Sequence, residues 1–118
     1  MKKYHEIHKT PDGTLTALAE KKESWYQRKI MSWIKLTYPL AAVWKNAAGV
    51  YSQGGIPDIS AVIAGHYFGI EVKRPGGRAT ELQKKMIDKI NKAGGTAGVC
   101  TTIEDANKLI GGFFCESN

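Results

Sequence analysis

Two acids and an amine stand out in the stretch GGIPDISAVIAGHYFGIEVKRPGG, residues 54–77: Asp58 at its start, Glu71 and Lys73 near its end. Between them lie two runs of alternating and apolar residues, which read as a hairpin of buried strands over about 58–64 and 67–73, with the turn at Gly65-His66. Cross-strand neighbours share a face, as do residues two apart on one strand. A turn centred on Gly65-His66 sets Asp58 opposite Lys73 and Ser60 opposite Glu71, so all four project to one side at the open end of the hairpin. Two arrangements fit such a group. One is a solvated ion-pair cluster at a strand terminus. The other is a hard-cation site, in which two carboxylates, a carbonyl and waters suit Mg2+. A cation there neutralises charge on a phosphate, and Lys73 beside it is placed to hold an attacking water.

A third carboxylate would favour the cation. Glu23, Gln27, Ile30 and Ile34 recur at offsets of four, seven and eleven, one stripe of a helix spanning about residues 20–37. Glu23 thus shares a face with apolar residues and reaches the cluster if that helix packs on the sheet; Glu20 is the alternative, and a first-turn acid is also favoured simply by the helix dipole.

The elements that must position these groups follow from the rest of the chain. Leu40–Lys45 reads as a strand, and Thr80-Glu81-Leu82-Gln83 as a capping box opening a helix to about Ala93. Thr96–Cys100 is a short strand. Thr101-Thr102-Ile103-Glu104 reads as a second capping box, with a helix to Ile110 that Gly111-Gly112 stops. Near the N-terminus, Thr10-Pro11-Asp12-Gly13 predicts a turn, with a small hairpin around it, and His5 and His8 have the spacing of helix-borne metal ligands but no companions. The order helix, three strands, helix, strand, helix predicts an α/β fold with a mixed sheet flanked by helices.

Composition bounds the function. The 118 residues suit one domain, 1–118, with 1–16 as a peripheral N-terminal segment. Seventeen basic against eleven acidic residues give a net charge of +6 and a pI near 9.4, a balance that favours a polyanionic partner. No run approaches the roughly 18 apolar residues of a membrane span, and MKKYHEIHK has no apolar core of a secretory signal. Two cysteines, Cys100 and Cys115, do not make a disulfide framework and fit a reducing, cytoplasmic setting.

The segments GGIPDIS and GIEVKRPGGRATELQKKMIDKINKAGG together resemble the VRR-NUC domain of the PD-(D/E)xK nuclease superfamily. The likeness rests on Gly55-Ile56-Pro57-Asp58, Ile70-Glu71-Val72-Lys73, Pro75-Gly76-Gly77 and Thr80-x-x-Gln83, with support from Glu23-x-x-x-Gln27 and Val43-Trp44-Lys45-Asn46. It covers most of residues 23–110. The resemblance implies a restriction-endonuclease-like core and metal-dependent hydrolysis of DNA phosphodiesters. It implies Asp58, Glu71, the Val72 carbonyl and Glu23 as ligands of Mg2+, with Mn2+ able to substitute, Lys73 as the catalytic lysine, and Gln83 near the active site. Small stand-alone members of the family, similar to phage and bacterial proteins, look like homodimers that cut branched DNA such as Holliday junctions. Lys45, Arg74 and Arg78, in flanking loops, are candidate DNA contacts. The alternative is a non-catalytic nucleic-acid-binding module on the same fold. Trp25, Trp33, Trp44 and Tyr51 are candidates for a dimer face, for base stacking or for the core.

Overall fold

A computed structural model describes residues 7–9, 15–17, 21–47 and 54–117. A short hairpin pairs β1 (Ile7–Lys9) with β2 (Leu15–Ala17), as the Pro-Asp-Gly turn predicts; the turn itself, His5, Glu20 and Tyr51 lie outside the described residues. There follow α1 (Glu23–Thr37), β3 (Ala42–Lys45), β4 (Ile59–Ile63), β5 (His66–Val72), α2 (Glu81–Lys92), β6 (Thr96–Cys100) and α3 (Ile103–Ser117). The sheet order is β3-β4-β5-β6, antiparallel except for the β5–β6 pair, whose parallel sense requires the α2 crossover.

The two faces of this sheet do different things. Ile59, Ala61 and Ile63 of β4 alternate with residues of the opposite face and join Phe68, Ile70 and Val72 of β5 on one face. Tyr26, Ile30 and Ile34 of α1 and Ala106 and Ile110 of α3 close over them to form the core. Each fully buried Ile, Val or Phe side chain among them contributes roughly 1.5–3 kcal/mol. On the other face α2 covers only part of β5 and β6, and none of its residues is fully buried. The stripe expected on the first helix is observed: Gln27, Ile30 and Ile34 are buried, and Glu23 opens the helix.

Five expectations need correction. The β4–β5 turn is Ala64-Gly65, not Gly65-His66; both residues have positive φ, 51° and 81°, the pattern of a tight hairpin turn. His66 belongs to the strand because its ring stacks on Phe113 at 3.8 Å and Nε2 bonds the Thr96 hydroxyl at 2.8 Å. The register pairs Ser60 with Gly69, so one step beyond the last pair Asp58 comes opposite Glu71 rather than Lys73. Parity is unchanged, and the acids still share a face.

The last helix does not stop at Gly111-Gly112 but runs to Ser117. Phe113 and Phe114 pack on Phe68, and Phe114 also meets Tyr38. That packing outweighs the roughly 1 kcal/mol that each interior glycine costs. Its capping box is also one residue later than expected: Asp105 N–H donates to Thr102 Oγ1 at 3.1 Å, and Asp105 Oδ2 accepts from the N–H groups of Thr101 and Thr102 at 2.9 and 3.0 Å. Burial works to raise the Asp105 pKa, but these donors prevail and hold it below the usual value. The third strand begins at Ala42, not Leu40, because Ala41 N–H closes a turn onto Tyr38.

Candidate active site

Asp58 is brought to the sheet edge by a loop that docks on α2. Gly55 has φ +92°, and a Cβ there would lie 2.5 Å from the Leu82 carbonyl oxygen. Only glycine meets both demands. Gly55→Ala is therefore expected to destabilise the fold by about 2–3 kcal/mol, measured by urea denaturation. An unchanged midpoint would show that the loop is not docked as described.

From this loop the chain enters β4 through Pro57 and Asp58. Two steps beyond the last ladder pair, Pro57 comes opposite Val72 and brings no N–H to it. The Val72 N–H instead donates to Asp58 Oδ2 at 2.8 Å. N–H and C=O of one strand residue point to the same side, so the Val72 carbonyl faces the same edge without its ladder donor.

Glu71 is the penultimate residue of the inner strand β5 and is 1% exposed. Its Oε2 accepts from Gln83 Nε2 at 2.9 Å and lies 3.4 Å from Lys73 Nζ. Gln83 is itself fixed by the capping box: its Oε1 accepts from Thr80 N–H at 2.8 Å, and its own N–H donates to Thr80 Oγ1 at 3.2 Å. The cap thus aims the amide nitrogen at Glu71. Lys73 is anchored by its N–H to the Cys100 carbonyl at 3.0 Å. Glu71 Oε1 is buried and has no hydrogen-bond partner.

Glu23 completes the group. Carboxylate oxygens of Glu23, Asp58 and Glu71 lie within 4.8 Å of one another. Burial first, and the nearby Asp58 charge second, push the Glu71 pKa up to about 7; Lys73 offsets only part of this. Such crowding is unfavourable unless a proton or a cation resolves it. The donor set is all oxygen, and an orphaned Glu71 oxygen awaits a partner. Both features fit a hard divalent cation.

A groove beside the acids is lined by Glu23, Ser24, Gln27, Lys45, Asn46 and Asp58, among others. Lys45 is therefore at its rim. Arg74 and Arg78 are exposed in the loop that follows Lys73. Of the aromatics, Trp25 and Trp33 pack edge-on against Tyr26 and Tyr38, whereas Trp44 stays 44% exposed. Cys100 is buried, its thiol pushed up to about 12 by desolvation and the Asp105 charge, and Cys115 is exposed; both are free thiols. Two polar residues at the site, Asn46 and Gln27, stand in segments that support the family likeness, but their sequence neighbours assign neither a role. Asn46 bonds groups 11 and 14 residues away, and the Gln27 Oε1 is buried without a partner.

The sequence model of the VRR-NUC domain matches residues 20–103. The chain belongs to the VRR-NUC domain family. Two solved VRR-NUC structures are similar: a VRR-NUC domain at 20% identity, TM-score 0.62, covering 75% of this chain and 94% of the other, and a VRR-NUC domain protein at 25% identity, TM-score 0.61, covering 78% and 87%. A Holliday junction resolvase from the hyperthermophile Archaeoglobus fulgidus shares the fold at 19% identity and TM-score 0.52, with 67% of each chain covered. No match is found among curated proteins. This VRR-NUC domain therefore has a restriction-endonuclease-like α/β fold within a nuclease family. Its β1–β2 hairpin precedes the matched region, and most of α3 follows it. Among the described residues, no helix is long and apolar enough to cross a membrane.

Proposed function

We propose that this VRR-NUC domain is a Mg2+-dependent DNA endonuclease selective for branched DNA, with a four-way junction as the leading substrate. The observation that carries this reading is the gathering of Glu23, Asp58 and Glu71 within 4.8 Å, with Lys73 beside them. Three crowded acids would repel a phosphate if no cation were bound, which speaks against a purely binding module.

Asp58, Glu71, Glu23 and the Val72 carbonyl would hold the cation. When bound, a divalent ion neutralises charge on phosphate oxygens and lowers the pKa of water. The protein's own groups do the rest. Gln83 and Lys73 both engage Glu71 Oε2, which leaves Oε1 as the oxygen that would hold the cation. Val72 N–H holds Asp58 Oδ2 and so fixes the rotation of that carboxylate. Lys73 Nζ orients a water for in-line attack and stabilises negative charge gathering on the phosphate. Lys45, Arg74 and Arg78 bind neighbouring phosphates, and the net charge of +6 draws DNA in, with affinity falling steeply as salt rises.

Symmetric cutting of a four-way junction needs two sites, so the working assembly is a two-fold homodimer. Its setting is the reducing cytoplasm of a bacterial or phage-infected cell. The resolvase that shares the fold acts on Holliday junctions. A panel of junction, flap, splayed-duplex, linear and single-stranded DNAs, incubated with Mg2+ or Mn2+, tests the reading. Metal-dependent cutting strongest on the junction is the expected result. Lys73→Ala should lower the rate by roughly 100-fold or more without weakening DNA binding comparably. Binding with no metal-dependent cutting of any member of the panel would leave the binding module in its place.

A further inference from the structure

Asp58 is held from behind by one side chain that has no contact with the other acids in its bonding pattern. Asn46, just past the end of β3, donates through Nδ2 to the Pro57 carbonyl at 2.8 Å and to Ser60 Oγ at 2.8 Å. Its backbone N–H donates to the Asp58 carbonyl at 2.8 Å. Ser60 Oγ in turn bonds the Tyr67 hydroxyl at 2.8 Å, which ties the group to β5. On the other side, Trp44 Nε1 donates to Asn46 Oδ1 at 3.0 Å. An indole N–H can only donate, so this bond fixes the amide with its oxygen toward Trp44 and its nitrogen toward Pro57 and Ser60. Both amide hydrogens are then used, and they grip the Pro57 carbonyl and the Ser60 hydroxyl on either side of Asp58.

We propose that Asn46 is a positioning residue for Asp58, oriented by the Trp44 indole, and that it presets the carboxylate for a divalent cation. The inference rests on the metal-site reading above. The physical need is local. Asp58 faces two further carboxylates within 4.8 Å, and Glu71 cannot yield because Gln83, Lys73 and the strand hold it. Asp58 sits just outside the sheet ladders, on the chain segment that follows Gly54-Gly55, and the β3–β4 and β4–β5 strand pairs stop one residue short of it. The Asn46 clamp acts on the peptide groups of Pro57 and Asp58, while Val72 N–H fixes the carboxylate itself. Partners of this kind typically set metal affinity by about 10- to 100-fold.

The test measures Mn2+ binding by the electron paramagnetic resonance of the free ion, on full-length wild-type, Asn46→Ala and Trp44→Phe proteins whose folding is checked by circular dichroism. Asn46→Ala keeps the backbone bond to Asp58 and removes only the side-chain clamp. It is expected to weaken Mn2+ binding by about tenfold or more and to lower kcat on cleaved DNA while leaving KM for DNA nearly unchanged. A role in stability alone would lower the melting temperature without moving the Mn2+ affinity of the folded protein. Trp44→Phe keeps the ring but loses the N–H that orients the amide; it should weaken Mn2+ binding by more than about twofold, and it decides the matter if Asn46→Ala does not fold. Folded variants that bind Mn2+ within about twofold of wild type would overturn the positioning role while leaving the metal site standing. A wild-type protein that binds no Mn2+ would overturn the metal-site reading and this proposal with it.

Discussion

Asp58→Asn should abolish cleavage and, in the absence of metal at pH 8, make the protein more stable than the wild type. The two effects have one cause. The asparagine oxygen can still accept the Val72 N–H, so the local hydrogen bond survives. The negative charge does not. Its loss removes a proposed cation ligand, and a loss of activity on the order of a thousandfold is expected from deleting a group that organises charge in the transition state. It also removes the Asp58 charge that helps to push Glu71 up to about 7, so Glu71 ionises at lower cost. A gain of about 1 kcal/mol corresponds to roughly 4 °C or more in melting temperature for a domain of this size. DNA binding should be kept or tightened, because one charge opposing phosphate is gone. Cleavage assays with Mg2+ and thermal melts with EDTA check the two halves separately. A mutant that cuts as well as the wild type contradicts the site. A mutant that melts lower at pH 8 contradicts the crowding of the acids.

The second large effect is on the pH dependence of stability. Glu71 titrates near 4.5 when unfolded and near 7 in the metal-free fold. Between those values the native state binds the extra proton, so the unfolding free energy falls as pH rises through that window. The stabilisation of the protonated form is complete below pH 4.5 and gone above pH 7, and the difference amounts to at most roughly 3 kcal/mol. Asp105, whose pKa is lowered, works in the opposite direction: its stabilisation is lost as pH falls. The expected profile with EDTA is therefore a maximum near pH 5 and a decline toward pH 8. Mg2+ should reverse the decline, because the cation binds the ionised acids, and its shift of the melting temperature should be larger at pH 8 than at pH 5. Equal shifts at both pH values, or no shift, would mean that the ion does not act through Glu71.

Much of this was legible in the residues alone, and the reasons differ by element. The alternation of ISAVI and the run FGIEV fix which side of each strand is buried, and parity alone then brings Asp58 and Glu71 to one face. The capping box Thr80-x-x-Gln83 was readable because its partners are three residues apart. That the same glutamine reaches Glu71 was not, since it depends on how α2 docks. The turn was misplaced by one position because two odd registers bury the same residues; the choice lies in the distant stack of His66 on Phe113. The extension of α3 through two glycines likewise depends on contacts with Phe68 and Tyr38 that no local rule contains. Asn46 is the clearest case. The stretch Val43-Trp44-Lys45-Asn46 supports the family likeness but assigns Asn46 no role; its proposed role comes from bonds to Pro57 and Ser60 across the sheet.

The central claim is that Glu23, Asp58 and Glu71 grip one divalent cation at the end of the β4–β5 hairpin. A crystal grown with Mn2+ and measured at the manganese absorption edge tests it most directly. The expected result is an anomalous peak in contact with the Glu23, Asp58 and Glu71 carboxylates and the Val72 carbonyl. A peak elsewhere, or no peak between well-ordered carboxylates at pH 8 in saturating Mn2+, would contradict it.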